Sequence, residues 1–309
     1  IDDVLPLAEI AINPTDWTSG DVEAIITLSD NVALKSYKLG DGDEVITDGT
    51  TKTISKTYSE NDTIIVEVKD AVGNTFTERK EITNIDKNAP NVVVSSETTS
   101  VSSKITVDAS DAGVGLHETA YCYNDGDWTS DNFLYVTDST EVTIKVRDVL
   151  GNTFTTTHTP EEKPEINVTI EPLEWTSDDV IVNVNGTGLA KYSLDNGESW
   201  QDENALMVCE NKNITVNVTD IFGSTMCVGN YEISNIDKVA PEITDVNVSE
   251  ITWTYKPVTV TVTAIDEDSG IYEYSFDGGE SWQTENVKTF NKNEDEIYPE
   301  TVLVMVKDI

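Results

Sequence analysis

The chain has 309 residues, with 58 acidic against 19 basic side chains, a net charge of −39 and three cysteines. That excess of carboxylates excludes binding to a phosphate backbone as its main role. Nowhere does the sequence approach the ~20 apolar residues of a membrane-spanning helix, and an odd number of cysteines cannot form a complete disulfide framework.

The chain opens on Ile1-Asp2-Asp3-Val4-Leu5-Pro6, and this phrase returns as Ile85-Asp86-Lys87-Asn88-Ala89-Pro90 and Ile236-Asp237-Lys238-Val239-Ala240-Pro241. It reads as a linker, so the sequence starts at a joint. A strand is predicted over 9–13, then a turn at Trp17-Thr18-Ser19 and a second strand over 22–28. Residues 64–68 alternate apolar and polar, the period of a half-buried strand. They run into Lys69-Asp70-Ala71-Val72-Gly73-Asn74, a hairpin turn in which Asp70 can bond its own backbone. A closing strand follows over 75–82. Seven short strands and no helix make the signature of an all-β sandwich.

The same order recurs. The second repeat replaces the Trp turn with a Ser/Thr run over 95–103 and leaves through Thr159-Pro160-Glu161-Glu162-Lys163-Pro164, which breaks the linker pattern. The third repeat restores Trp175-Thr176-Ser177, whose Trp is predicted to pack across the end of the sandwich. The fourth has Trp253 and ends at Ile309 without the Gly-Asn turn or closing strand, so an excerpt of a longer protein is expected. A strand-turn phrase marks each unit: YKLGDGD at 37–43, YCYNDGDW at 121–128, YSLDNGESW at 192–200 and YSFDGGESW at 274–282. In the last, Asp277-Gly278-Gly279 reverses the chain, because Gly supplies the positive φ that such turns need. Repeats of this kind come before any other assignment. They predict four tandem immunoglobulin-like or fibronectin-like β-sandwiches in an elongated array, at residues 1–87, 88–162, 163–238 and 239–309.

Together, W-T-S-x-D-V, Y-S-x-D-x-G-x-S-W, V-x-D-x-x-G-N and I-D-K-x-A-P resemble the immunoglobulin-like repeats of bacterial cell-surface proteins. The resemblance covers all four units. It implies an extracellular stalk, spacer or adhesin segment, a monomeric rod within a longer chain, with a host-surface or glycan ligand as the alternative function. A non-catalytic arm of a secreted carbohydrate-active enzyme is a third reading. The family has no common active site to carry over. The phrases at Ser193 and Ser275 also resemble the Asp-box of sialidases, a structural hairpin on propeller blades. Those blades run about 50 residues, a spacing these copies do not follow, and a sialidase's three-arginine clamp is not met by Arg79 and Arg147.

No catalytic or cofactor-binding residues are assigned, and no cofactor is required. His117 and His158 have no partner set that suggests a nucleophile and base. Six Asn-x-Ser/Thr sequons match the number expected by chance. Cys209 and Cys227 fall in one repeat, where either a disulfide or two buried thiols would fit. Ca²⁺ at the domain joints is the one metal reading. An immunoglobulin-like sandwich brings its entrance beside the B–C and F–G loops. That would place Asp86 near Asp111, and Asp237 near Asp266 and Asp268. Ca²⁺ takes six to eight oxygens, and each Asp could equally cap its own turn.

Overall fold

The computed structural model describes residues 2–252, 254, 256–291 and 301–309. Trp253 lies outside them. Among the described residues every element is a strand and every ladder is antiparallel. The first repeat holds β1 (Leu7–Asn13), β2 (Val22–Ser29), β3 (Leu34–Leu39), β4 (Val45–Ile46), β5 (Thr51–Tyr58), β6 (Asp62–Asp70) and β7 (Thr75–Ile82). One sheet runs β1-β2-β5 and the other β4-β3-β6-β7.

The second repeat has β8 (Asn91–Thr98), β9 (Ser103–Ser110), β10 (Leu116–Tyr123), β11 (Phe133–Val136), β12 (Val142–Asp148) and β13 (Thr153–His158). Its sheets are β8-β9-β11 and β10-β12-β13. The third has β14 (Asn167–Glu171), β15 (Val180–Asn185), β16 (Leu189–Ser193), β17 (Ala205–Val208), β18 (Lys212–Asp220) and β19 (Thr225–Ile233), in sheets β14-β15-β17 and β16-β18-β19. In the fourth, β20 (Glu242–Val248), β21 (Val258–Ile265) and β23 (Val287–Phe290) form one sheet. There β22 (Ile271–Ser275) and β24 (Met305–Asp308) form the other.

Each sandwich closes on an apolar core, and that of the third repeat also takes in Val101 from the Ser/Thr run. Period-two patterning builds them, since alternate side chains of a strand face opposite sides. On β6 the inward row is Ile64, Val66, Val68, and on β12 it is Val142, Ile144, Val146. The next residue in phase is aspartate in every repeat: Asp70, Asp148, Asp220 and Asp308. The V-x-D phrase therefore drives a carboxylate to the end of the core row. Asp70 and Asp148 are fully buried.

The chain divides into two compact units, Ile1–Glu97 with Ser103–Glu161, and Thr98–Ser102 with Glu162–Ile309. In the first, the linker is fixed along its length. Ile85 is buried in the first repeat's core. Its backbone N–H donates to Asn61 Oδ1 (2.9 Å) and its carbonyl accepts from Asn61 Nδ2 (3.0 Å). Thr18 N donates to Asn84 O and accepts Asp86 N through its carbonyl, both at 2.9 Å. Lys87 Nζ reaches back to Asp21 at 2.7 Å. The second unit repeats this around Ile236, with Asn211, Thr176 and a 2.6 Å Lys238–Asp179 pair.

Trp175, expected to pack across the end of its sandwich, is half-buried, and its counterpart Trp17 in the first repeat is 44% exposed. The turn is held instead by Asn84, whose Nδ2 donates to Pro14 O and Asp16 O at 3.0 and 2.7 Å. Asn235 does the same for Pro172 and Glu174.

Candidate metal centres

At three places the fold gathers one aspartate from a linker, one from the loop after the second strand of a sandwich, and the one ending the V-x-D row, which is buried in the first two and half-buried in the last. The sets are Asp2, Asp30, Asp70; Asp86, Asp111, Asp148; and Asp237, Asp266, Asp308. In each, one carboxylate oxygen per residue lies within 4.8 Å of the others.

The second set shows how they are held. Asp86, 3% exposed, accepts Asn88 N at 3.1 Å on Oδ1 and Val114 N at 2.9 Å on Oδ2. The loop of Val114 passes so close that a Cβ on Gly113 would lie 1.9 Å from Asp86 Oδ2, so only glycine fits. Asp111 Oδ1 caps its own loop through Gly113 N (3.0 Å) and Gly115 N (2.9 Å). Asp148 accepts Asn152 N (2.8 Å) and Asn152 Nδ2 (2.6 Å), and that same Nδ2 donates to Asp86 O at 3.1 Å. In the first set Asp30 Oδ1 accepts Val32 N and Ala33 N, while its Oδ2 is buried with no hydrogen-bond partner. In the third, Asp237 Oδ2 accepts both Ser269 N (3.1 Å) and Ser269 Oγ (2.6 Å).

Hydrogen bonds lower the pKa of two of these carboxylates, Asp237 and Asp70. The Ser269 hydroxyl and the Val239 N–H hold Asp237 below the usual carboxylate range, against the opposing effect of burial. Burial pushes Asp70 up, yet the Asn74 side chain and the N–H groups of Gly73, Asn74 and Val72 outweigh it and bring it down. Three carboxylates at this spacing repel one another. A hard divalent cation relieves that repulsion and takes oxygen ligands of this kind.

Asp86 with Asp111, and Asp237 with Asp266, come together as the sequence suggested. Asp268 does not join: its backbone N–H caps Asp266 Oδ1 at 3.1 Å, and the third carboxylate is Asp308. Asp148, Asp70, Asp30 and Asp2 were also missed. For Asp70 and Asp148 the signal was the aspartate of V-x-D, read only as a turn residue; for Asp2 it was the linker phrase, where it matches Asp86 and Asp237.

The third repeat breaks the series. Asp220, 2% exposed, occupies the same position, and no carboxylate triad forms around it among the described residues. Its Oδ2 accepts Thr99 Oγ1 at 2.9 Å and Ser102 Oγ at 2.5 Å. Ser100 N donates to Thr187 O, and Thr187 N donates to Ser100 Oγ. Gly188 has no room for a Cβ, which would meet Thr99 Cγ2 at 2.7 Å. The Ser/Thr run that replaced the Trp turn thus supplies hydroxyl donors where the other joints bring two more carboxylates.

The strand-turn phrases are structural. Asp277 Oδ1 accepts Ser275 Oγ (2.8 Å) and Ser281 N (2.9 Å), its Oδ2 accepts Ser281 Oγ, and Trp282 Nε1 closes onto Gly279 O (3.1 Å). Asp195 repeats the pattern with Ser193, Ser199 and Trp200. Led by the Ser281 hydroxyl, these bonds pull Asp277 down to about 2. Because its folded pKa is depressed, the turn's contribution is complete above the unfolded value of about 3.9. It is lost as pH falls from there through about 2. The Asp277→Asn variant should therefore melt below the wild type at pH 6 and converge on it near pH 2; a constant gap would sink this account. Cys209 and Cys227 are exposed and unpaired, and Cys122 is buried.

No protein-family model matches the chain, and no curated protein does. Solved structures do. One concerns host cell surface retention of a 1.5-MDa bacterial ice-binding adhesin: 14% identity, 73% of this chain and 96% of that one, TM-score 0.32. Another is the N-terminal four immunoglobulin domains of Dscam1 isoform 6.44: 10% identity, 95% and 93% coverage, TM-score 0.27. A third is the SGBP-B protein of a Bacteroides ovatus mixed-linkage glucan utilization locus with a bound heptasaccharide: 11% identity, 100% and 98% coverage, TM-score 0.20. At these scores none carries an argument for what this chain does.

Proposed function

We propose that this chain is a non-catalytic repeat segment of an extracellular surface protein, a spacer whose joints are set by Ca²⁺. The observation that carries the reading is the place of the triads. Each draws one carboxylate from the linker and two from the sandwich that follows, so a bound cation ties linker to domain. The linker's other side is already fixed, by Ile85 and Ile236 in the preceding core. The carboxylates of the strand-turn phrases are engaged on both oxygens by serines, which suits structure rather than proton transfer. Pro90 and Pro241 hold the residues before them extended, which also suits a spacer.

Small-angle X-ray scattering of the purified chain tests the spacer. A compact globule of this length has a radius of gyration of about 20 Å. A measured value near that figure would remove the reading, and one well above it is expected.

A further inference from the structure

The third repeat carries a cleft of about 380 Å³ along its flank, within the range of about 300–1,000 Å³ typical of small-molecule sites. Tyr192, Leu206 and Trp200 form its apolar part, and Met207, Lys212 and Asn213 lie on its rim. A second hollow of about 390 Å³ adjoins it, sharing Asn213 and reaching Thr215, Asn230 and Tyr231.

Most polar groups in the first cleft are already engaged. Asp195 is held by Ser193 and Ser199. Gln201 Nε2 donates to Glu203 O and Ala205 O. Trp200 Nε1 donates to Gly197 O at 3.0 Å, so the indole has only its carbon surface to offer. Lys212 is held only loosely, by a 3.5 Å pair with Glu210.

Trp200 also differs from its counterparts. Arg147 lies 4.2 Å over the Trp128 ring and Lys307 lies 4.6 Å over Trp282. Each cation stands directly before the aspartate of its V-x-D phrase, and in the third repeat that residue is Thr219. Among the described residues no cation lies over the Trp200 ring.

Such a surface suits a ligand with an apolar C–H face, which meets the negative face of an aromatic ring, and with hydroxyls for an amide and an ammonium. A net charge of −39 opposes anionic ligands. We propose that this flank of the third repeat binds a neutral oligosaccharide, with Trp200 as the stacking surface and Lys212 and Asn213 as hydrogen-bonding groups.

The test is calorimetric titration of the whole chain with cellohexaose, mannohexaose and maltohexaose, in calcium and in chelator. At least one should bind with a Kd at or below about 1 mM, equally in both buffers, because the cleft lies outside the triads. Trp200→Ala should weaken binding at least tenfold. Met207→Glu, at a side chain 71% exposed, should weaken it with no change in melting temperature. Absence of binding by all three sugars, or binding untouched by both variants, overturns the proposal. So does tighter binding of sialyllactose, titrated alongside, than of any of the three neutral sugars. Loss of the spacer reading by scattering would leave these titrations unchanged.

Discussion

Calcium should raise the melting temperature of this chain by about 10 °C over its value in chelator, and Asp30→Asn, Asp111→Asn and Asp266→Asn combined should abolish the gain. A cation that binds only the folded state at a hundred times its Kd contributes about 2.7 kcal/mol. In a domain of 60–100 residues each kcal/mol moves the midpoint by roughly 4–8 °C. The three substitutions are chosen because each residue caps its loop through Oδ1: Asp30 to Val32 and Ala33, Asp111 to Gly113 and Gly115, Asp266 to Asp268 and Gly270. Asparagine keeps that oxygen and removes the charge. In chelator the variant should therefore melt no lower than the wild type, since one of three mutually repelling carboxylates is gone from each site. In calcium it should fall well below. The two proteins thus exchange order between buffers, which a purely structural role for these aspartates does not produce. An equal calcium response in both would take the metal away from the triads.

The architecture was legible because β-sandwich cores write themselves in period two. The inward rows of β6, β12 and β18 are plain in the sequence. The Asp-Gly-Gly reversal at 277–279 was plain too, and Gly278 and Gly279 do take positive φ, 75° and 94°. Half of each joint was legible as well, because the linker phrase repeats. What hid the third carboxylate was the period itself. Asp148 stands in phase with Val142, Ile144 and Val146, so it points inward, whereas a turn residue is read as facing solvent. Asp268 failed for the opposite reason: it is adjacent to the loop's capping aspartate, and only its backbone N–H is used. Trp175 was expected to pack away because aromatic burial is the usual outcome in small β domains; it is half-buried, and its counterpart Trp17 is exposed. Here Asn84, 68 and 70 residues along the chain from its two carbonyl partners, had taken over the turn. Contacts of that separation leave no local periodicity to read.

The combined Thr99→Ala and Ser102→Ala substitution should destabilise the chain by about 3 kcal/mol, by the same amount in calcium and in chelator. Hydrogen bonds to a charged group contribute roughly 1.5–3 kcal/mol each. Both donors on Asp220 Oδ2 come from these two hydroxyls, and the carboxylate is buried, so no solvent replaces them. The Oδ1 side stays capped by Phe222 N and Ser224 N, so the hairpin itself should persist. The third repeat would then be the one whose V-x-D aspartate is neutralised by the chain rather than by a cation. A double-mutant cycle separates this from loss of packing by the two side chains. Adding Asp220→Asn to the hydroxyl-less variant replaces an underbonded charge with a neutral amide. It should restore part of the stability, whereas in the wild-type background the same change should cost stability. If Asp220→Asn is equally harmful in both backgrounds, the hydroxyls are not acting on the carboxylate. If calcium rescues the hydroxyl-less variant, the third repeat is a latent cation site, and the distinction between two kinds of joint falls.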